Sequence, residues 1–171
     1  MRSGVAKGRN PKLNLYVSVV GSGDASPEIS ELAYAVGKLL AQSGAVLVCG
    51  GLGGVMDAAA KGAKQAGGLA LGILPWSNRK GASAFLDATL PTGMGQARNA
   101  LVALAGDAVI AIGGGFGTLS EIGFALKAGK PVVGLKTWEL YREGREEPHI
   151  VKATRPDEAV AKALELAQKT L

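Results

Sequence analysis

The stretch Ala108-Val-Ile-Ala-Ile-Gly-Gly-Gly-Phe-Gly-Thr-Leu-Ser-Glu121 sets five apolar residues directly against a glycine cluster and then a helix-forming run. Residues 108–112 read as a strand and residues 118–128 as a helix that Gly129 and Pro131 stop. The same order recurs twice upstream. Residues 13–20 read as a strand, Gly21-Ser-Gly23 follows, and Ser26-Pro27-Glu28 supplies the N-cap, the first-turn proline and the first-turn acid of a helix. Ile29, Leu32, Ala33, Val36, Leu39 and Leu40 share one face of that helix, and Gly44 stands at its stop. Residues 45–49 form a short apolar strand, residues 50–54 a second glycine cluster, and residues 55–66 a helix closed by Gly67 and Gly68. Further strands are expected at 69–74, 86–90, 131–135 and 149–153, and further helices at 96–105 and 156–171. Residues 76–85 and 136–148 have no period and read as polar loops. Continuous apolar strands alternating with helices predict an α/β fold, a doubly wound parallel sheet of Rossmann-like type in one domain over residues 13–171. In that architecture the ligand crevice lies at the carboxyl ends of the strands, which is where all three glycine clusters fall.

Composition narrows the function. The chain has 171 residues, 47% of them hydrophobic, and its 26 glycines are about twice the usual share. No Gly-X-Y period is present, so a collagen-like reading fails. One cysteine, Cys49, excludes a disulfide framework and a cysteine-based zinc site, and no metal-ligand constellation is visible. Neither a signal-peptide core nor a membrane-length apolar run stands out, so the expectation is a cytoplasmic protein with no membrane partner. Arg2, Lys7, Arg9 and Lys12 supply four of the five net positive charges with no acid among them, so residues 1–12 read as a basic, flexible arm. The nearly neutral body lacks the clustered cations and aromatics of a nucleic-acid surface, and no nucleic-acid partner is expected.

The glycine clusters discriminate between ligands. Gly21-Ser-Gly-Asp-Ala-Ser26 departs from the dinucleotide fingerprint, and no acid follows the second strand to hold a ribose. A P-loop is also absent, since Gly129-Lys130 runs into Pro131. Residues 113–117 place four glycines where successive N–H groups and the positive end of a helix converge on an anion, so a phosphate is the expected guest. A plain turn followed by a Thr118-x-x-Glu121 capping box is the competing reading. Arg98 is expected in the first turns of a helix, where the dipole disfavours a cation, so it is either an anion ligand or a solvated surface side chain. Cys49 reads as a small core residue, His149 as a strand-edge residue and Asp107 as a turn residue at the far end of the sheet. No resident cofactor is expected.

Three motifs resemble the LONELY GUY (LOG) family and its Rossmann-type relatives often labelled possible lysine decarboxylases. They are Cys49-Gly-Gly-Leu-Gly-Gly-Val-Met56, Arg98-Asn99, and Gly113-Gly-Gly-Phe-Gly-Thr-Leu-Ser-Glu121. The resemblance implies a nucleoside 5′-monophosphate phosphoribohydrolase, acting on an AMP-type substrate as a homodimer or higher homo-oligomer. Gly114, Gly115, Gly117 and Thr118 would then cradle the phosphate, Glu121 would face the ribose, and Arg98 would assist the leaving group, making Arg98 and Glu121 the candidate catalytic pair. Gly21, Ser22, Gly51, Gly53, Gly54, Met94 and Asn99 complete the expected binding set. No lysine is set for pyridoxal phosphate, so the decarboxylase label is discounted. This chain has Arg98-Asn99 where LOG enzymes have Arg-Lys, and Gly113 where they have proline. Its Thr-Gly-Met-Gly-Gln-Ala-Arg-Asn wording, residues 92–99, is similar to a short branch that includes molybdenum-cofactor carriers, which implies a non-catalytic alternative with a pterin ligand.

Overall fold

A computed structural model describes residues 14–146 and 149–170; the basic arm expected at 1–12 lies outside the described residues. Five apolar strands carry the frame: β1 (Tyr16–Gly21), β2 (Val46–Cys49), β3 (Ala70–Leu74), β5 (Ala108–Ile112) and β6 (Val132–Leu135), with β4 (Ala88–Pro91) and β9 (Ile150–Ala153) at the edges. They form one parallel sheet in the order β4-β3-β2-β1-β5-β6-β9. All five residues of β5 are buried, which is what its unbroken apolar run predicts for a strand covered on both faces. Helices α1 (Pro27–Gln42), α2 (Val55–Gln65) and α5 (Pro156–Thr170) cover one face, and α3 (Asn99–Ala105) and α4 (Phe116–Lys127) the other. Ser26 caps α1 as expected, its side chain accepting from the Ile29 amide. Where α1 crosses α2, a Cβ on Gly37 would sit 1.9 Å from the Ala59 carbonyl oxygen, so two of the glycines serve close helix packing: Gly62 meets Tyr34 in the same way at 2.0 Å.

Three local expectations are corrected. The helix expected over 96–105 is split: Gly95–Arg98 is a 3-10 turn and α3 begins only at Asn99. Residues 136–148 carry a small hairpin, β7 (Tyr141–Arg142) with β8 (Arg145–Glu146), instead of loop alone. Helix α4 begins at Phe116 with Gly115 as its N-cap, two residues before the expected start.

The strand order fixes where a ligand can bind. The chain winds from β1 outward to β4, returns through α3, and resumes at β5 on the other side of β1. Gly21 and Ile112 are register partners at the carboxyl end of this pair, so the loops leaving β1 and β5 diverge to opposite faces and leave a crevice between them.

Candidate functional site

That crevice holds a cleft of about 270 Å³. Its walls come from four segments: Gly21 and Ser22 after β1, Leu52 and Met56 where β2 leads into α2, Arg98 and Asn99 where the 3-10 turn meets α3, and Gly115, Gly117, Thr118 and Glu121 at the start of α4. The glycine loop after β5 is held from behind by the segment following β6. The Thr137 hydroxyl donates to the Gly113 carbonyl, and Trp138 Nε1 donates to the Gly115 carbonyl at 3.2 Å.

The first turn of α4 could receive an anion. No side chain caps it, and the leading N–H groups of a helix have no partner within the helix itself. A Cβ on Gly115 would meet nothing within 4 Å, and one on Gly117 only Asn99 Nδ2 at 3.8 Å, so the approach is open. Gly114 serves the loop differently: its φ of 104° is left-handed, and a Cβ there would lie 2.4 Å from Thr118 Oγ1. The capping-box reading is overturned, because Thr118 lies inside α4 and Glu121 a turn further on, where it reaches no N-cap amide.

Among the described residues, five polar or charged residues are buried: Ser18, Arg98, Asn99, Thr118 and Glu121. All but Ser18 line the cleft, so burial of polarity in this fold is concentrated at one place. Arg98 closes the 3-10 turn and is 6% exposed, which overturns the solvated-arginine reading and moves it out of the helical turns expected for it. Its Nη1 donates to Asn99 Oδ1 at 2.6 Å, its Nη2 donates to the Gly50 carbonyl at 3.1 Å, and its Nε is buried without a protein partner. Glu121 Oε1 lies 3.7 Å from Nη1, an ion pair longer than a hydrogen bond. Burial pushes the Glu121 carboxyl up to about 7, and the Arg98 charge only partly opposes this. Burial likewise lowers the Arg98 pKa, with Glu121 acting in the other direction. Cys49 lies beneath the site; burial pushes its thiol up to about 12, so it is no nucleophile.

Other expected ligand residues stand back from the cleft. A Cβ on Gly51 would press on Leu74 and Gly72, and one on Gly54 would lie 2.2 Å from the Ser22 carbonyl oxygen. Gly53 packs on the Gly23 carbonyl, and Met94 is an exposed residue of the loop after β4. Gly53 and Gly54 thus fit the loop after β2 against the loop after β1, and Gly51 fits it against β3. The cleft also takes in Gly23, Leu52, Met56 and Gln96, which sequence reasoning did not place among its ligands. Met56 ends the second glycine block and so carried a signal; Leu52 and Gln96 carried none. Asp107 is confirmed as a turn residue at the opposite end, its carboxylate accepting from the Tyr16 amide at 2.9 Å. The described residues contain no helix long and apolar enough to cross a membrane.

Known proteins share this frame. An uncharacterized protein of Archaeoglobus fulgidus is 48% identical over 122 residues, 71% of this chain and 80% of that protein. The molybdenum cofactor binding protein of Rippkaea orientalis superposes with a TM-score of 0.81 at 36% identity, covering 90% of this chain and 98% of that one. The Moco carrier protein of Chlamydomonas reinhardtii superposes with a TM-score of 0.80 at 34% identity, covering 91% and 99%. Residues 14–163 match the SLOG cluster4 family model, and the chain belongs to that family.

Proposed function

We propose that this cleft seats the phosphate of a small phosphorylated heterocycle and that the protein is a carrier of the molybdenum cofactor, a phosphorylated pterin whose metal travels as part of the cargo. The observation that carries the reading is the uncapped first turn of α4, with open space over Gly115 and Gly117 and a buried cation, Arg98, across the cleft. These residues fit a phosphate and ask for no protein ligand to the metal. The pterin is favoured over other phosphorylated ligands by the 34–36% identity to cofactor-binding and carrier proteins over nine-tenths of the chain. The test is to mix the purified protein with molybdenum cofactor released from a donor enzyme, pass it through a desalting column, and measure molybdenum and oxidised-pterin fluorescence in the protein fraction. Retention near one equivalent per chain is expected, and loss of both signals refutes the carrier reading.

A second reading, hydrolysis of the N-glycosidic bond of a nucleoside 5′-monophosphate, is favoured by Glu121, a cleft carboxyl poised to exchange a proton near neutrality. Its test is incubation with AMP and chromatography for adenine. Adenine release that Glu121→Gln abolishes supports it; no adenine at high protein concentration refutes it.

A further inference from the structure

Arg98 and Glu121 face one another, yet the guanidinium does not close onto the carboxylate. Both Nη atoms make their hydrogen bonds elsewhere, to Asn99 Oδ1 at 2.6 Å and to the Gly50 carbonyl at 3.1 Å, while Glu121 Oε1 stays 3.7 Å away. Gly50 can accept in this way only because it has no side chain: a Cβ would stand 2.8 Å from Nη2 and 2.9 Å from Nη1. The other end of the Asn99 amide is also engaged. Its Nδ2 donates to Ser120 Oγ at 3.1 Å and to the Gly117 carbonyl at 3.4 Å, and Ser120 Oγ itself donates to that carbonyl at 2.6 Å. Asn99 is 5% exposed, so no water competes freely for these contacts.

We propose that Asn99 is a positioning residue of the cleft: it holds the Arg98 guanidinium against the Gly50 carbonyl and off Glu121, and it ties that arrangement to the first turn of α4. Only the expected effect on phosphate binding rests on the phosphate reading above. An amide suits the task because it offers an acceptor to Arg98 and a donor to α4 on one rigid plane; an aspartate lacks the donor and a leucine lacks both. Without the Oδ1 acceptor, Glu121 Oε1, 3.7 Å from Nη1, is open to it, and a guanidinium that swings onto a carboxylate forms a charge-assisted pair that holds it ionised. Asn99 thus keeps two functional groups apart that would otherwise neutralise each other. The titratable groups facing Glu121 are Arg98, from the turn before α3, and Cys49, from β2, whose thiol stays protonated.

The experiment compares wild type with Asn99→Leu, Asn99→Asp and Ser120→Ala. It reads the Glu121 carboxyl by carbon NMR across pH, the Arg98 Nε resonance by nitrogen NMR, and the affinity for inorganic phosphate by calorimetry. In Asn99→Leu the Glu121 midpoint should fall, the Arg98 resonance should move, and phosphate binding should weaken about tenfold, the loss of one charge-assisted contact. Asn99→Asp keeps the acceptor and adds a negative charge, so there the midpoint should rise while phosphate binding weakens. This isosteric variant keeps the test decisive if the leucine variant does not fold. Ser120→Ala should leave the midpoint in place and weaken phosphate binding by a smaller factor. A Glu121 midpoint that does not fall in Asn99→Leu or, where that variant does not fold, does not rise in Asn99→Asp overturns the proposal. Because Glu121 is read with no cofactor present, a failure to retain molybdenum cofactor would sink the carrier reading and leave this one standing.

Discussion

Replacing Glu121 by glutamine should stabilise the protein in mild alkali and do little in mild acid. The carboxyl is 7% exposed at its side chain and titrates at about 7 when folded, against an ordinary value of 4.5. Between those two values the folded chain keeps a proton that the unfolded chain has lost, so stability falls as pH rises through this window and the full penalty is present above about pH 7. The gap between the two values corresponds to about 3 kcal/mol at 1.36 kcal/mol for each pH unit. Glutamine is isosteric with the protonated acid and cannot ionise, so the variant escapes the penalty and its stability should be flat across the same range. For a chain of this size about 3 kcal/mol corresponds to roughly 6–12 °C in Tm. Thermal unfolding of both proteins at about pH 5 and about pH 8 is the assay, with the difference expected to open only at the higher pH. A Tm difference that is equal at the two pH values refutes the reasoning. So does a wild type more stable than the variant at the higher pH, which would mean that attraction to Arg98 outweighs burial.

Removing the cation should push the same group further up: in Arg98→Met the Glu121 midpoint rises above about 7, because Arg98 is what restrains it, and phosphate affinity drops, both readable by NMR titration and calorimetry. Gly115→Ala should leave stability within about 1 kcal/mol, its φ of −104° and free surroundings accepting a methyl group, yet weaken phosphate binding at least about tenfold because that methyl occupies the anion's approach. Gly114→Ala should instead cost about 2 kcal/mol or more in urea unfolding, from a left-handed φ of 104° and a Cβ 2.4 Å from Thr118 Oγ1. Cys49 should resist iodoacetamide at neutral pH in the native protein and react fully in denaturant, since burial holds its thiol at about 12; labelling of the native protein at the rate of a free thiol would contradict the burial.

How far the sequence could be read depends on the range of the interactions involved. The order of strands and helices was legible because it rests on local periodicity and on punctuation by Gly44, Gly67 and Gly129. The start of α4 was not, because Phe116 and Gly117 look like turn residues and only the tertiary frame, through Thr137 and Trp138, holds the loop so that the helix begins there. Arg98 was legible as a cation without a helical reason, but its burial depends on the Gly50 carbonyl, 48 positions away. Within the glycine clusters, position in a cluster did not separate lining the cleft from packing. Gly51 and Gly54 sit among neighbours as suggestive as those of Gly115, yet their missing side chains make room for Leu74 and the Ser22 carbonyl.

The energetics of the site argue that its polarity is kept for a ligand. An orphaned buried N–H costs on the order of 1–3 kcal/mol, and Arg98 Nε is one. An ion pair at 3.7 Å without a hydrogen bond returns little of the desolvation of two charges, and the carboxyl partner is pushed toward its neutral form near pH 7. Elsewhere the chain avoids such costs: Ser18, the buried polar residue outside the cleft among the described residues, donates to the Val102 carbonyl at 2.6 Å and is satisfied. A fold that needed only stability would fill the space beside Gly50 and Met56 with apolar side chains. Keeping Arg98, Asn99 and Glu121 there instead leaves a cation and a titratable acid preorganised beside an uncapped helix turn, so an arriving anion meets donors already in place and the order of the site is supplied by folding rather than by binding.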